Sequence, residues 1–212
     1  MKRIQGWGNT STDYPVPEPA KGYLDNVVGT PLSLQNVPIE YLLKKVPPSR
    51  LPTHPNVSTD PEERLRHARG QSLTDWVDMY DGLIGTFPDG VAFPSNEAEV
   101  RDLIRFAGKH EINLIPYGGG SSVVGHLTPL KEGPPSLSLD LARMNQLLEL
   151  NEENLEATLG AGASGPEIED QLKRHGYVLG HFPQSWEYST LGGWIVTRSV
   201  GQQSYHYGRI EP

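Results

Sequence analysis

Residues 90 to 120, "GVAFPSNEAEVRDLIRFAGKHEINLIPYGGG", decide the predicted fold because they pass from strand to helix and back to strand. A short apolar run precedes a proline, and a helix is predicted from about Ser95, with an apolar face formed by Val100, Leu103, Ile104 and Ala107. The strand "INLIP" comes next and runs into three glycines. This order predicts a β-α-β unit that ends in a glycine-rich loop.

The chain beyond this unit continues to alternate between strands and helices. Further strands are predicted at "SLSLDL" (136–141), "QLLEL" (146–150), "LEATLG" (155–160) and "YVLGHF" (177–182). Between the last two, Ser164 and Glu167 have the spacing of a capping box, and Gly176 is placed to end the helix. The predicted fold class is therefore α+β, with helices that cover a sheet.

The chain before residue 84 has a different character. Proline-rich segments such as "YPVPEPAKG" and "VPPSRLPTHPNVSTDP" predict an N-terminal arm over residues 1–83, packed across a second unit over residues 84–212. Short helices interrupt the arm. One is predicted to begin with Asp60 as cap, Pro61 in the first turn and Glu63 as capping-box acid. Another is opened by Ser72 and Asp75, with an apolar face made of Leu73, Trp76, Val77 and Tyr80.

Composition excludes several classes of protein. The 212 residues contain no cysteine, which excludes disulfides, thiolate metal sites and cysteine nucleophiles. The net charge of −8 argues against a nucleic-acid partner. The apolar runs are far shorter than the ~20 residues that span a bilayer, and the first residues lack a secretory signal, so we predict no transmembrane segment and a cytoplasmic protein.

The glycine motifs leave several interpretations. Gly120 and Gly125 have the spacing of a P-loop, but His126 and Leu127 stand where lysine and a hydroxyl residue are required. A dinucleotide fingerprint at Gly160, Gly162 and Gly165 fits better as a tight turn between a strand and a helix. The loop "GGGSSVVG" is either a flexible turn or a backbone cradle for phosphates, and its residues alone leave both open.

Other chemistries have little support in the sequence. The histidines show no metal-ligand spacing, so no metal site is predicted, and no G-x-S-x-G elbow is present. Asp140 follows a strand and is predicted to serve a turn or a surface pair. Trp186 and Trp194 are either core aromatics or pocket residues, and Arg198 either a surface residue or a ligand of phosphate.

Several blocks, in order, resemble one known superfamily. Residues 90–116, "IPYGGGSSVVGHL" (115–127) and the stretch from Ser138 to Pro212 are similar to the FAD-binding half of the vanillyl-alcohol oxidase and p-cresol methylhydroxylase flavoproteins. Within that superfamily the likeness is to the alkyldihydroxyacetonephosphate synthase group and its bacterial FAD-linked oxidase relatives. The segment "IQGWGN" (4–9) near the start of this sequence also resembles the tryptophan-glycine opening of that group. The likeness covers about residues 62–212.

The resemblance implies a PCMH-type FAD-binding domain of two small α+β subdomains. It implies noncovalent FAD, because Ser121 follows Gly120 where covalently linked branches carry histidine. The cofactor residues that it implies are Pro116, Tyr117, Gly118, Gly119, Gly120, Ser121, Ser122, Pro183, Gln184, Ser185, Trp186, Glu187, Tyr188, Ser189, Thr190, Gly192, Gly193, Val196, Thr197, Arg198 and Ser199.

The resemblance also implies that the catalytic residues lie elsewhere. The family continues past the segment that matches "YGRIEP" into a substrate domain, so we expect the domain to be incomplete at Pro212, with no catalytic residue in this chain. A small-molecule substrate would then require that further domain. Three functions follow as hypotheses: acyl-to-alkyl exchange on a dihydroxyacetone phosphate ester in ether lipid synthesis, oxidation of a 2-hydroxy acid, or a non-catalytic flavin-binding remnant.

Overall fold

The computed structural model describes residues 2–31 and 33–210, so Met1, Leu32 and the last two residues of the predicted 84–212 unit, Glu211 and Pro212, lie outside the described residues. The helices are α1 Glu18–Val28, α2 Ile39–Leu43, α3 Pro61–Arg66, α4 Leu73–Tyr80, α5 Glu97–Lys109, α6 Gly165–Lys173, α7 Leu191–Val196 and α8 Ser204–Tyr207. The strands are β1 Val57–Ser58, β2 Gly90–Ala92, β3 Asn113–Tyr117, β4 Ser136–Asp140, β5 Leu147–Asn151 and β6 Glu156–Leu159. The α+β prediction is confirmed.

The main sheet has four strands in the order β1-β2-β4-β3. Strands β2 and β3 both run parallel to β4, and β1 is antiparallel to β2. The predicted β-α-β unit is therefore confirmed as β2-α5-β3, with β4 between its two strands. Every residue of β4 is buried, as expected for the centre of a covered sheet. The glycine-rich loop leaves the sheet directly after Tyr117.

Helix α5 covers one face of this sheet. Asn96 caps it by accepting a hydrogen bond from the Glu99 N–H, and Leu103 and Ala107 are buried against the sheet. The predicted apolar face is wrong at Ile104, which is 51% exposed. Ile104 follows Leu103 around the helix and lies outside the stripe of Val100, Leu103 and Ala107 that packs in the core.

The second part of the fold is a β5-β6 hairpin with α6 packed beside it. The predicted capping box is present, since Ser164 and Glu167 exchange side-chain and backbone hydrogen bonds. The predicted strand at 177–182 is wrong. Its polar groups have other partners: the Leu179 N–H donates to Glu169, and the Phe182 carbonyl accepts from the Gln202 N–H. The segment joins no sheet within the described residues, and Gly180 interrupts it with a φ of +74°.

The N-terminal region has the predicted short helices, with corrections. Asp60 caps α3 by accepting from two backbone N–H groups, but Glu63 makes no reciprocal bond, because the Asp60 N–H donates to Ser58. Helix α4 has the predicted capping box, yet Leu73 is 74% exposed and the buried residues are Asp75 and Met79. The predicted face is thus wrong at its first position.

The predicted boundary at residue 83 stays a prediction. Strand β1 lies in the proposed arm and pairs with β2 of the main sheet, so the two parts share a sheet. Helix α1, by contrast, has no buried residue. No helix among residues 2–31 and 33–210 combines the length and apolar character needed to cross a bilayer.

Candidate functional site

A cleft of about 530 Å³ lies between the glycine-rich loop and the segment around α7. Its volume is within the roughly 300–1,000 Å³ range of small-molecule and cofactor sites. The residues that were predicted to bind a cofactor and that line this cleft are Pro116, Tyr117, Gly118, Gly119, Gly120, Ser121, Ser122, Pro183, Ser185, Ser189, Thr190, Gly192, Gly193, Val196, Thr197 and Ser199. Two segments that are far apart in sequence therefore meet at one site.

The glycines of the loop are required by close packing. A Cβ atom at Gly118 would overlap the Thr190 hydroxyl, and one at Gly119 would overlap the Tyr188 carbonyl. Gly120 has a φ of +70°, a region that favours glycine. Gly118 and Gly119 thus let the loop lie directly on residues 188–190, which form the opposite side of the cleft, while Gly120 lies against the Tyr117 hydroxyl.

The backbone of this loop is free to bind a ligand. Within the described residues, the N–H groups of residues 118–122 donate to no protein acceptor. The loop is held from behind, where the Ser122 carbonyl accepts from the Gln71 N–H at 2.6 Å. Successive free N–H groups in a turn form a concave binding site for anions such as phosphate. The loop can therefore take an anionic group without a P-loop lysine.

The other side of the cleft is built by Thr190 and helix α7. The first N–H groups of α7, at Leu191 and Gly192, donate to the carbonyls of Ala163 and Ala161 at 2.9 and 2.8 Å. The helix start is therefore anchored to the turn before α6 and not available to a ligand. Trp194 is buried and donates from Nε1 to the Ser189 hydroxyl at 2.6 Å, which makes it a core residue that also lines the cleft.

His181 supports the floor of the cleft. Its ring is buried, lies 5.2 Å from the Trp194 ring and places Nε2 2.7 Å from the Ser199 hydroxyl. Burial lowers the pKa of His181 below its ordinary value, because the charged form loses hydration. The ring is thus neutral at pH 7 and orients Ser199. No group of His, Cys, Asp or Glu side chains in the described part of the chain is arranged to hold a metal ion.

Tyr117 marks the point where the sheet meets the cleft. Its ring lies 4.3 Å from that of His67, which is buried. The His67 Nε2 atom is 2.9 Å from Asp140, and its Nδ1 is 2.7 Å from the Glu63 carbonyl. Burial raises the pKa of Tyr117, with the Asp140 charge adding to the effect, so the phenol stays neutral. The turn predicted at Asp140 is present, because its carboxylate accepts from the Ala142 N–H. The alternative of a surface pair is wrong, because Asp140 is buried and its partner is His67.

Some predicted cofactor residues lie outside this cleft. Gln184, Trp186, Glu187 and Tyr188 line a neighbouring depression of about 300 Å³. Arg198 is exposed and has a φ of +51°, and it is not among the residues that line either cavity. The cofactor roles assigned to these five residues remain predictions, as do those of the residues that line the cleft.

Several apolar residues of the cleft were not among those predicted from the sequence. Val123, Val124 and Val200 line it and are more than half exposed, with Val124 at 76%. Leu127, Leu141 and Ala161 line it too. The pair of valines inside "GGGSSVVG" could have indicated an apolar wall of a binding site, because a flexible turn has no need of adjacent exposed β-branched residues.

The second glycine motif has the structural role that was expected of it. The Gly160 and Gly162 N–H groups donate to the carbonyls of Gln146 and Met144, both at 2.9 Å. Cβ atoms at these glycines would overlap the backbone at Met144 and Leu141, and one at Gly165 would overlap the Trp186 ring. These glycines therefore serve a tight turn, and the first two have no free N–H group for a dinucleotide.

Comparison with known proteins identifies similar chains. The family model described as "FAD binding domain" matches residues 88–211. Alkyldihydroxyacetonephosphate synthase of Dictyostelium discoideum is 40% identical over 148 residues, which are 70% of this chain and 24% of that protein. The enzyme of the same name from Caenorhabditis elegans is 35% identical over 196 residues, or 91% of this chain and 31% of that protein.

Comparison with solved structures finds the same similarity. A structure of alkyldihydroxyacetonephosphate synthase superposes with a TM-score of 0.82 at 29% identity, and the match covers 99% of this chain and 45% of that one. The chain spans about a quarter to a third of the length of the curated relatives described above.

Proposed function

We propose, because this chain belongs to the FAD binding domain family, that the cleft between the glycine-rich loop and residues 183–199 holds its FAD. The diphosphate would lie on the loop, at the N–H groups of residues 118–122. The flavin end would lie toward Ser189, Thr190 and α7. The resemblance implied that FAD lies along these two segments, and the geometry of the cleft supports that placement.

The observation that carries the proposal is the set of N–H groups at residues 118–122, which donate to no acceptor in the described part of the protein. Backbone N–H groups without partners are rare unless they face water or a ligand. Here they belong to a loop whose shape is fixed by close contact with Tyr188 and Thr190, so they are preorganised for an anion.

Noncovalent binding is the second part of the proposal. Ser121 follows Gly120, where covalent branches of the superfamily carry histidine, and the chain has no cysteine. His126 lines the cleft, and its Nδ1 is 3.2 Å from the Ser122 hydroxyl. We therefore expect denaturation to release all of the flavin.

We further propose that the chain serves an acyl-to-alkyl exchange on a dihydroxyacetone phosphate ester. The support is the 35–40% identity to two enzymes named alkyldihydroxyacetonephosphate synthase and the superposition on a solved structure of that name. When bound, the flavin supplies the electron-accepting chemistry. The residues of this chain would hold and orient it and exclude water. Oxidation of a 2-hydroxy acid, a non-catalytic role and the cytoplasmic location remain predictions from the sequence.

The test of the cofactor site is Ser121→Asp, which places a carboxylate at the proposed diphosphate. One pair of charges at about 4 Å in water is worth about 1 kcal/mol, so two phosphate charges give about 2 kcal/mol. We expect the Kd for FAD to rise about thirtyfold. Asn154→Asp adds the same charge in the exposed β5-β6 turn and should leave the Kd unchanged. Equal FAD binding by both variants, measured by flavin fluorescence, would place the cofactor elsewhere.

A further inference from the structure

The first residues of the described chain form a hairpin that lies against the glycine-rich loop. This N-terminal hairpin, residues 2–9, is closed by a bridge between Lys2 and Asn9 and by a hydrogen bond from the Arg3 N–H to the Gly8 carbonyl at 2.9 Å. The Lys2 ammonium donates to the Gly119 carbonyl at 3.5 Å. An amino group from 117 positions upstream therefore lies at the centre of the loop.

The backbone of Lys2 is held in place by the last residue of helix α3. Arg66 donates from Nη1 to the Lys2 carbonyl at 3.2 Å, and the Arg66 carbonyl accepts from the Tyr117 hydroxyl at 3.4 Å. Tyr117 is the last residue before the glycines. The position of the lysine is thus coupled to the point at which the loop leaves the sheet.

The far end of the hairpin is held by aromatic contacts. The Trp7 ring lies 5.7 Å from the Tyr188 ring and 6.5 Å from the Trp76 ring. Trp76 in turn donates to the Gln71 side chain at 2.7 Å, and the Gln71 N–H donates to the Ser122 carbonyl. The hairpin therefore contacts Tyr188 directly through Trp7. It contacts the glycine-rich loop directly through Lys2, and indirectly through Trp7, Trp76 and Gln71.

The loop itself has no positive charge to offer. No lysine or arginine occurs in residues 115–129, and none of those in the described ranges 2–31 and 33–210 lines the cleft. A diphosphate on the loop would carry about two negative charges in a protein whose net charge is already −8. The acidic neighbour that Lys2 influences, Glu167, is already occupied by hydrogen bonds from Ser164 and Asn145.

We propose that Lys2 is the phosphate-neutralising residue of the FAD site, supplied by the N-terminal hairpin to a loop that lacks the P-loop lysine. The proposal rests on the proposed function, since it requires the diphosphate on the glycine-rich loop. The ammonium remains exposed, so it acts through its charge and not through a buried contact. Its contribution is therefore sensitive to salt.

The test compares FAD binding by Lys2→Gln, Lys2→Arg and Lys21→Gln at several salt concentrations. At about 0.01 M salt, where the Debye length is about 30 Å, we expect Lys2→Gln to raise the Kd about fivefold, the factor for the lysine charge paired with one of the two phosphates in water. At about 1 M salt the Debye length is about 3 Å and the difference from the parent should vanish. Lys2→Arg should bind as the parent does. Lys21 is an exposed residue of α1 and serves as the control for net charge.

The outcomes separate this proposal from the one on which it rests. A Kd for Lys2→Gln equal to that of the parent at low salt overturns the role of Lys2, and a fivefold loss that persists at high salt shows a packing role in its place. If Ser121→Asp weakens FAD binding in either case, the cofactor site stands. If neither variant changes the Kd, the glycine-rich loop does not hold the diphosphate.

Discussion

Gly119→Ala tests whether the fit between the glycine-rich loop and residues 188–190 is needed for cofactor binding. The new methyl group would point at the Tyr188 carbonyl and lie 2.9 Å from the Ser189 Cα atom, with no flexible side chain to move aside. Real Cβ contacts below 3.0 Å essentially do not occur, so the loop must move away from this segment. The variant thus displaces the loop and leaves the chemistry of the cleft otherwise unchanged.

The size of the effect follows from the hydrogen bonds at stake. Overpacking of this kind costs about 1–3 kcal/mol of stability. A displaced N–H group loses its bond to a phosphate, and a hydrogen bond to a charged group is worth about 1.5–3 kcal/mol. If one such bond is lost, the Kd for FAD should rise about ten- to more than a hundredfold. The loss of affinity should therefore be easy to measure.

The matched control is Gly125→Ala in the same loop. Gly125 has a φ of +77°, but a Cβ there would meet no atom within 4 Å. Alanine in that conformation costs about 1–2 kcal/mol of stability, comparable to the strain at Gly119. Flavin fluorescence gives the Kd, and circular dichroism gives the melting temperature without FAD. If both variants lose the same affinity, or if Gly119→Ala binds FAD as the parent does, the contact with residue 188 does not shape the cofactor site.

The remaining predictions concern one buried and one exposed residue. Burial opposes ionisation of Asp89, yet hydrogen bonds from Arg50 and the Ser136 N–H hold the pKa of Asp89 below its ordinary value. Asp89→Asn should cost about 1.5–3 kcal/mol at pH 7. The pKa of Asp89 is lower in the folded than in the unfolded state, so this stability is present above about pH 3.9 and is lost as the pH falls further. The melting temperatures of parent and variant should therefore converge in acid. A difference that stays constant with pH would exclude the Asp89–Arg50 pair as the cause. Arg198→Lys should leave the Kd for FAD unchanged and alter stability by less than about 0.5 kcal/mol, because Arg198 is exposed outside the cleft. Weaker FAD binding would support the cofactor role inferred from the resemblance.

The fold could be predicted from the sequence where a local pattern, such as a helix cap, coincides with residues that are buried in the structure. The β2-α5-β3 unit and the capping box at Ser164 were found because a periodic apolar pattern and a cap lie together in each. The predictions failed at Ile104, Leu73 and the strand at 177–182, where the outcome depends on distant packing. A β-branched or extended segment becomes a strand only if another strand is there to pair with it, and no local pattern contains that information.

The candidate site was predictable to the extent that its residues are adjacent in sequence. The glycine-rich loop and the 183–199 segment were recognised, and they meet at one cleft. The contacts of Lys2, His67 and Gln71 with this region were not recognised, because each supports the loop from a position at least 45 residues upstream of the loop's first glycine, Gly118. Such supports carry no motif of their own.

The run of glycines in the loop explains why residues of the N-terminal region support it. Each glycine increases the conformational freedom that must be lost when the loop is ordered. Its three glycines have no side chains, so their positions are imposed by neighbours: Tyr188 and Thr190 on one side, and Gln71 with Lys2 on another. The same contacts that order the loop leave its N–H groups free. Lys2 and Gln71, both from the predicted arm, are therefore direct supports of the proposed cofactor site.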